Sequence, residues 1–309
     1  MKITGTFLDE ISLDIPSANW GPQEWAKDFD AMKAVGIDTV ILIRAGYMNK
    51  CTFESETIKK LHPILPVPTD LLEVFLSEAD RCNMDFYFGT YDSEDYWRKG
   101  DYQKEIDINM AFADEVMEKY GHHKSFNGWY ISNEVDTCNP SAVEVYKQLS
   151  KYLKSLKDAP VLISPYFHGV KMFDKYVGSG YYDARRANIR SHKESWKKVF
   201  EAIEGHIDIV AFQDGNVDYE DLEAYLEVNK ELSREHDIQF WSNVETFDRD
   251  MPWKFPPIGF TKLLHKMMIA EKVGVDKMIT FEFSHFMSPN SIYYDAHNLY
   301  KVYKQYFNC

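Results

Sequence analysis

Two glutamates pose the chemical question. Glu134 closes the run Gly128-Trp129-Tyr130-Ile131-Ser132-Asn133-Glu134, and Glu245 closes Phe240-Trp241-Ser242-Asn243-Val244-Glu245. Each follows a short β-rich run, where a strand gives way to a loop. Paired carboxylates across a cleft are what glycoside cleavage requires: one protonates the leaving oxygen, and the other, as an anion, attacks the anomeric carbon or activates water. Neighbouring residue types suit that chemistry. Asn133 is a neutral amide able to bond a sugar hydroxyl, and Arg44 is expected to hold Glu245 ionised and oriented. Tyr47, Tyr166, Gln213, Asp214, Trp253 and Glu282 stand in, at or beyond other run ends and complete the candidate substrate-binding set.

Other chemistries lack their residues. No H-x-H follows the first run, and His122-His123 sits at a predicted helix end, so no metal or other cofactor is expected. There is no P-loop, no Gly-rich dinucleotide turn and no G-x-S-x-G elbow. The four cysteines form no C-x-x-C pair. A net charge of −14 argues against nucleic acid or an anionic membrane as the partner. No run approaches a membrane span, and no apolar stretch precedes Asp9 and Glu10, so a cytoplasmic protein without membrane insertion is the expectation. Oligomeric state has no sequence signal.

The elements that must position these residues have a regular rhythm. An amphipathic helix ends at Gly or Asn, and an apolar residue and Asp then lead into a β-rich run. Val35-Gly36-Ile37-Asp38, Gly205-His206-Ile207-Asp208 and Val273-Gly274-Val275-Asp276 follow this phrase, and Asn83-Met84-Asp85 is a variant. Trp25, Phe29 and Met32 fall at helical spacing, as do Trp196, Phe200 and Ile203, and these stripes are expected to be core. The β-rich runs lie near 3–8, 38–44, 84–90, 127–133, 160–166, 207–213, 238–245 and 277–284. Eight such strands, each with a helix, predict a single-domain (β/α)8 TIM barrel over 1–309. Its chemistry belongs at the C-terminal strand ends, where Glu134 and Glu245 would face each other.

Asn-Glu after strand four and Glu after strand seven resemble the clan A glycoside hydrolases, with Arg44 near the end of strand two as a further shared feature. The resemblance implies Glu134 as general acid/base and Glu245 as nucleophile, with retention of configuration. Val135 stands where that clan often has Pro. Over most of the chain the sequence is similar to a barrel family labelled domain-of-unknown-function 4434. The similarity rests on Gln213-Asp214-Gly215, Trp241-x-x-x-Glu245-x-Phe247 and Gly128-Trp129-Tyr130-x-x-x-Glu134.

A carbohydrate substrate also fits the aromatic content of 15%. Tyr47, Tyr91, Tyr96, Trp97, Tyr166, Tyr181, Tyr182, Trp253 and Phe286 fall in predicted strand-end loops, where rings can stack on sugar C–H faces. The glycine-containing stretch 170–192 reads as a flap over the cleft. Retention requires carboxyl groups about 5–5.5 Å apart, and inversion about 6.5–9.5 Å. A non-catalytic carbohydrate-binding barrel is the alternative. A lyase or isomerase using Glu282 or His285 as base is a third possibility.

Overall fold

Eight parallel strands close into one barrel in chain order: β1 (Ile3–Leu8), β2 (Thr39–Leu42), β3 (Asp85–Gly89), β4 (Phe126–Tyr130), β5 (Val161–Ile163), β6 (Ile209–Gln213), β7 (Gln239–Asn243) and β8 (Lys277–Thr280), with β8 paired to β1. The computed structural model describes residues 1–12, 15–173, 187–249 and 255–309. Helices surround the barrel: α1 (Pro22–Ala34), α2 (Leu71–Cys82), α3 (Tyr102–Tyr120), α4 (Pro140–Leu156), α5 (Ile189–Ile203), α6 (Leu222–Glu235), α7 (Phe260–Val273) and α8 (Tyr294–Phe307). This is the (β/α)8 architecture that the run spacing predicts.

The repeated Asp has a structural task. Asp208 accepts from the Val161 amide at 2.7 Å, and Asp276 accepts from the Phe240 amide at 2.8 Å. Each carboxylate satisfies the amide at or beside the start of an adjacent strand, which would otherwise lack a partner at the barrel's lower rim. Asn83 and Gly274 close α2 and α7 in the left-handed conformation, as the sequence phrase requires.

The helix stripes are core. Trp25, Phe29, Met32, Trp196, Phe200 and Ile203 are all buried. Inside the barrel a separate cluster fills the lumen, including Phe7, Ile41, Tyr87, Tyr130, Leu162, Trp241 and Ile279. Phe7 and Tyr130 meet edge to face at 5.2 Å. The lumen is therefore packed below the strand ends, and only its upper rim is polar.

Several strands are shorter than the hydropathy runs. β5 ends at Ile163, although Tyr166 still bridges to Gln213, and β8 ends at Thr280. The chain turns there, because Glu282 caps a short helix, Phe283–Phe286. A small sheet of Gly46–Tyr47, Lys50–Cys51 and Tyr91–Asp92 extends above β2 and β3, and no periodicity announces it. Of the expected flap, 170–173 form a 3₁₀ turn and 189–192 open α5, while 174–186 lie outside the described residues.

His285 fastens the end of β8 to the loop after β1. Its Nδ1 faces Glu282, and its Nε2 lies 2.7 Å from the Pro16 carbonyl oxygen. Both ring nitrogens face acceptors, so the ring is held as imidazolium. Burial alone would lower its pKa, but Glu282, Pro16 and more distant Asp9 outweigh burial and push it up to about 9. A raised folded-state pKa contributes stability that is complete below the unfolded value of about 6.5 and is lost as pH rises through about 9. Calorimetry is therefore expected to show wild type more stable than His285→Gln at pH 6, with the gap narrowing towards pH 9.5. A pH-independent gap would contradict the charged clamp.

Candidate active site

Glu134 and Glu245 line the same pocket, a cavity of about 250 Å³ at the C-terminal rim of the barrel. Glu134 lies four residues beyond the end of β4, and Glu245 two residues beyond the end of β7. Their strands are three apart rather than diametrically opposed, with β5 and β6 between them. Tyr166, Gln213, Asn216, Lys171 and Arg249 form the polar remainder of the lining, and Ile43, Phe247, Phe255 and Phe281 its apolar part.

Glu134 is held by donors from four places in the chain. Its Oε1 accepts from Tyr130 Oη at 3.0 Å and Gln213 Nε2 at 3.1 Å. Its Oε2 accepts from Tyr166 Oη at 2.7 Å and Arg44 Nη2 at 3.3 Å. Arg44 also pairs with Asp92 at 3.2 Å, so its charge is divided between two carboxylates. Burial pulls against the guanidinium, but Glu134 and Asp92 hold it firmly protonated. Tyr130 is pushed well above the usual phenol range, first by burial and then by the Glu134 charge, so it remains a donor.

Glu245 has a different partner. Arg249 Nη2 donates to its Oε1 at 2.9 Å, and Arg249 Nε donates to its Oε2 at 3.1 Å, a bidentate pair. The guanidinium lies 4.9 Å from the Phe247 ring and 5.5 Å from that of Phe255. The expected Arg44–Glu245 pair is thus corrected. Arg44 follows β2, turns towards Asp92 beyond β3 and meets Glu134 beyond β4, while the loop after β7 supplies its own arginine to Glu245.

One turn touches both carboxylates. Gln213 bonds Glu134 and also the Ser164 carbonyl at 2.8 Å. Asp214 Oδ1 accepts from the Glu245 amide at 3.1 Å and from Lys266 Nζ at 2.7 Å, and Lys266 also donates to the Glu245 carbonyl at 2.8 Å. Burial raises the Asp214 pKa to about 6, with Lys266 pulling it down and Glu245 pushing it up. Gly215 leaves room: a Cβ there would lie 1.9 Å from Glu245 Oε2 and 2.1 Å from Arg249 Nε.

The remaining candidates scatter. Asp214 lies behind Glu245 rather than in the pocket lining. Tyr47 is buried beside Arg44, whose guanidinium lies 5.2 Å from its ring. Asn133 is buried and turns towards α3, 3.5 Å from Glu105, because consecutive side chains point to opposite sides of an extended chain. Glu282 is fully buried as a helix cap, accepting from the Ser284 and His285 amides, and does not line the pocket. Trp253, Tyr181 and Tyr182 lie outside the described residues. Trp97 bonds Asp92 at 3.1 Å and is a buried support, as are Tyr91 and Phe286. Among the described residues, no group of three or more His, Cys, Asp or Glu is placed to hold a metal ion. No helix among them is long and apolar enough to cross a membrane.

Residues 3–293 match the family model described as a domain of unknown function, DUF4434, and the chain belongs to that family. A crystal structure of a proposed alpha-L-fucosidase from Bacteroides thetaiotaomicron is 45% identical, with a TM-score of 0.92 over 99% of this chain and 93% of that one. An endo-1,4-beta-D-mannanase from Thermotoga petrophila shares 14% identity at a TM-score of 0.57 over 91% of this chain and 88% of that one. A glycoside hydrolase family 5 protein from Bacteroides vulgatus shares 10% at 0.57, over 92% of this chain and 58% of that one. These last two likenesses show the fold alone. No curated protein matches the chain.

Lys266→Met would leave Asp214 buried without its cation. Denaturant unfolding at pH 8 is expected to show a loss of about 3–5 kcal/mol. The loss should shrink at pH 5, because Asp214, raised by burial and no longer pulled down by Lys266, is there neutralised by a proton. Adding Asp214→Asn should recover part of it. An unchanged midpoint would show that the pair does not support the turn.

Proposed function

We propose that this protein hydrolyses a glycosidic bond by a two-carboxylate, retaining mechanism, with Glu245 as nucleophile and Glu134 as acid/base. The observation that carries the proposal is the shared pocket, in which each glutamate has an arginine of its own. Arg249 meets both Glu245 oxygens, which favours the anion that attack requires. Arg44 divides its charge with Asp92, and the Tyr130 and Tyr166 hydroxyls can donate to a carboxylate or accept from a carboxylic acid. Glu134 is therefore the better site for a proton that must come and go.

In the proposed reaction Glu134 protonates the glycosidic oxygen as a Glu245 oxygen attacks the anomeric carbon. The leaving group departs as an alcohol, and the sugar is left as an ester on Glu245. Glu134, now a carboxylate, removes a proton from water, which attacks the same carbon and releases Glu245. Ester formation removes the charge that Arg249 neutralises. The guanidinium thus also favours the return of the carboxylate in the second step.

The lining suggests where to look for the sugar. Ile43, Phe247, Phe255 and Phe281 offer apolar contact beside Tyr166, Gln213 and Asn216, which bond hydroxyls. A 6-deoxyhexose, with a methyl where other hexoses have a hydroxymethyl, suits such a mixture. The 45% identical Bacteroides protein is itself a proposed alpha-L-fucosidase. Fucosides therefore head the substrate panel.

The test is hydrolysis of aryl glycosides and natural oligosaccharides. Glu245→Ala and Glu134→Ala are each expected to lower turnover about 10²–10⁴-fold with the fold intact. Proton NMR of the first product should show the starting anomer. Turnover indifferent to both substitutions would overturn the proposal. Glycan binding without turnover would make the protein a binding barrel.

Arg249→Lys replaces a planar fork by a single ammonium. The value of kcat/KM is expected to fall about 10–100-fold, because an ammonium cannot meet both Glu245 oxygens in the same fixed geometry. An unchanged kcat/KM would remove Arg249 from that role.

A further inference from the structure

A second cavity, of about 460 Å³, opens beside the loop that follows β1. It exceeds the 250 Å³ between the two glutamates. One wall comes from residues 10–12 with Ser17, Asn19 and Trp20, and the other from Lys50, Cys51 and the stretch 65–71 that leads into α2.

Dedicated polar contacts hold these walls apart. Glu10 accepts from the Ala18 and Asn19 amides, each at 3.0 Å, and from the Ser17 hydroxyl. Lys50 Nζ donates to the Ile11 carbonyl at 3.0 Å, joining one wall to the other. Leu65 and Leu71 amides bond the Asn49 and Thr52 carbonyls, each at 2.8 Å. Trp20 is braced edge-on against buried Trp25 at 5.0 Å. Pro66 and Pro68 have fixed φ angles, so that wall loses little entropy when a ligand settles on it.

The chemistry of the lining is mixed in a telling way. Trp20, Pro66 and Pro68 give flat or rigid apolar contact, while Ser17, Asn19 and Thr69 bring hydroxyl and amide groups. An anion would meet the Glu10 carboxylate and a lysine already turned to a carbonyl. A wholly apolar ligand would strand the hydroxyls and amide. A sugar satisfies both, with C–H faces against the ring and hydroxyls on the polar groups.

The position links this cavity to the candidate active site. Ile15 of the same loop belongs to the apolar cluster that contains Phe247, Phe281 and Phe286, and the Pro16 carbonyl is bonded by His285. One part of the loop thus packs with the first pocket's apolar lining, and another lines the second cavity. The same loop therefore borders both sites.

We propose that the cavity lined by Trp20 is a distal sugar subsite, which takes the part of an oligosaccharide beyond the residue at Glu134 and Glu245. The proposal rests on the glycosidase assignment above. The test compares two substrates of the sugar found by the panel: its aryl monoglycoside and an oligosaccharide with the same cleaved linkage. Trp20→Ala removes the platform, and Val67→Trp fills the cavity without disturbing the Trp20–Trp25 contact. Each variant is expected to lower kcat/KM on the oligosaccharide about tenfold and to leave the aryl monoglycoside within about twofold of wild type. Equal effects on both substrates, or no effect on either, would overturn the subsite alone. If wild type hydrolyses neither substrate, the glycosidase assignment and the subsite fall together.

Discussion

Two carboxylates in one buried pocket repel each other, and each pays heavily for leaving water. The site exists because the turn Gln213-Asp214-Gly215 reaches both. Gln213 donates to Glu134, Asp214 fixes the Glu245 backbone and binds Lys266, and Gly215 makes space for the Glu245–Arg249 pair. β6 is well placed for this, since it lies between the strands that carry the two glutamates. A displacement of this turn would disturb both carboxylates at once.

The rest of the barrel follows from that constraint. The packed lumen of Phe7, Tyr130, Trp241 and their neighbours keeps water out from below, so charges above it act in a medium of low polarity. The Asp residues at the lower rim seal the other end by bonding strand amides. Strands supply direction, while the segments beyond them supply the counter-charges: Arg249 after β7 for Glu245, and Arg44 after β2 for Glu134. Rigid backbone and charge compensation thus come from different parts of the chain. This division agrees with chemistry at the C-terminal rim and stability at the base.

Much of this was legible in the sequence, for identifiable reasons. The Gly-x-Asp phrase marks a local event, a helix end followed by a strand start, and local events leave local patterns. The phrase precedes β2, β3, β6 and β8, while the strand-end positions of Glu134 and Glu245 follow from the short β-rich runs that they close. Pairings across loops did not. Arg249 stands four residues after Glu245, but in a loop, where that spacing carries no helical meaning. Lys266 reaches Asp214 from α7, a distance in sequence that no periodicity spans. The position of Arg44 after a β-rich run puts it at the correct rim but not on the correct glutamate, because nothing local says which way a long side chain turns. Glu282 sits at a strand end like the others, yet it serves its own chain as a cap.

The central claim is that Glu245 becomes covalently bonded to sugar while Glu134 carries the proton. A 2-deoxy-2-fluoro glycoside with a good leaving group slows both steps and allows the intermediate to accumulate. Peptide mass spectrometry after such treatment is predicted to find one sugar on the peptide containing Glu245, with the label lost in Glu245→Gln. A label on Glu134, or turnover of the natural substrate with no labelled enzyme and an inverted product, would contradict the account.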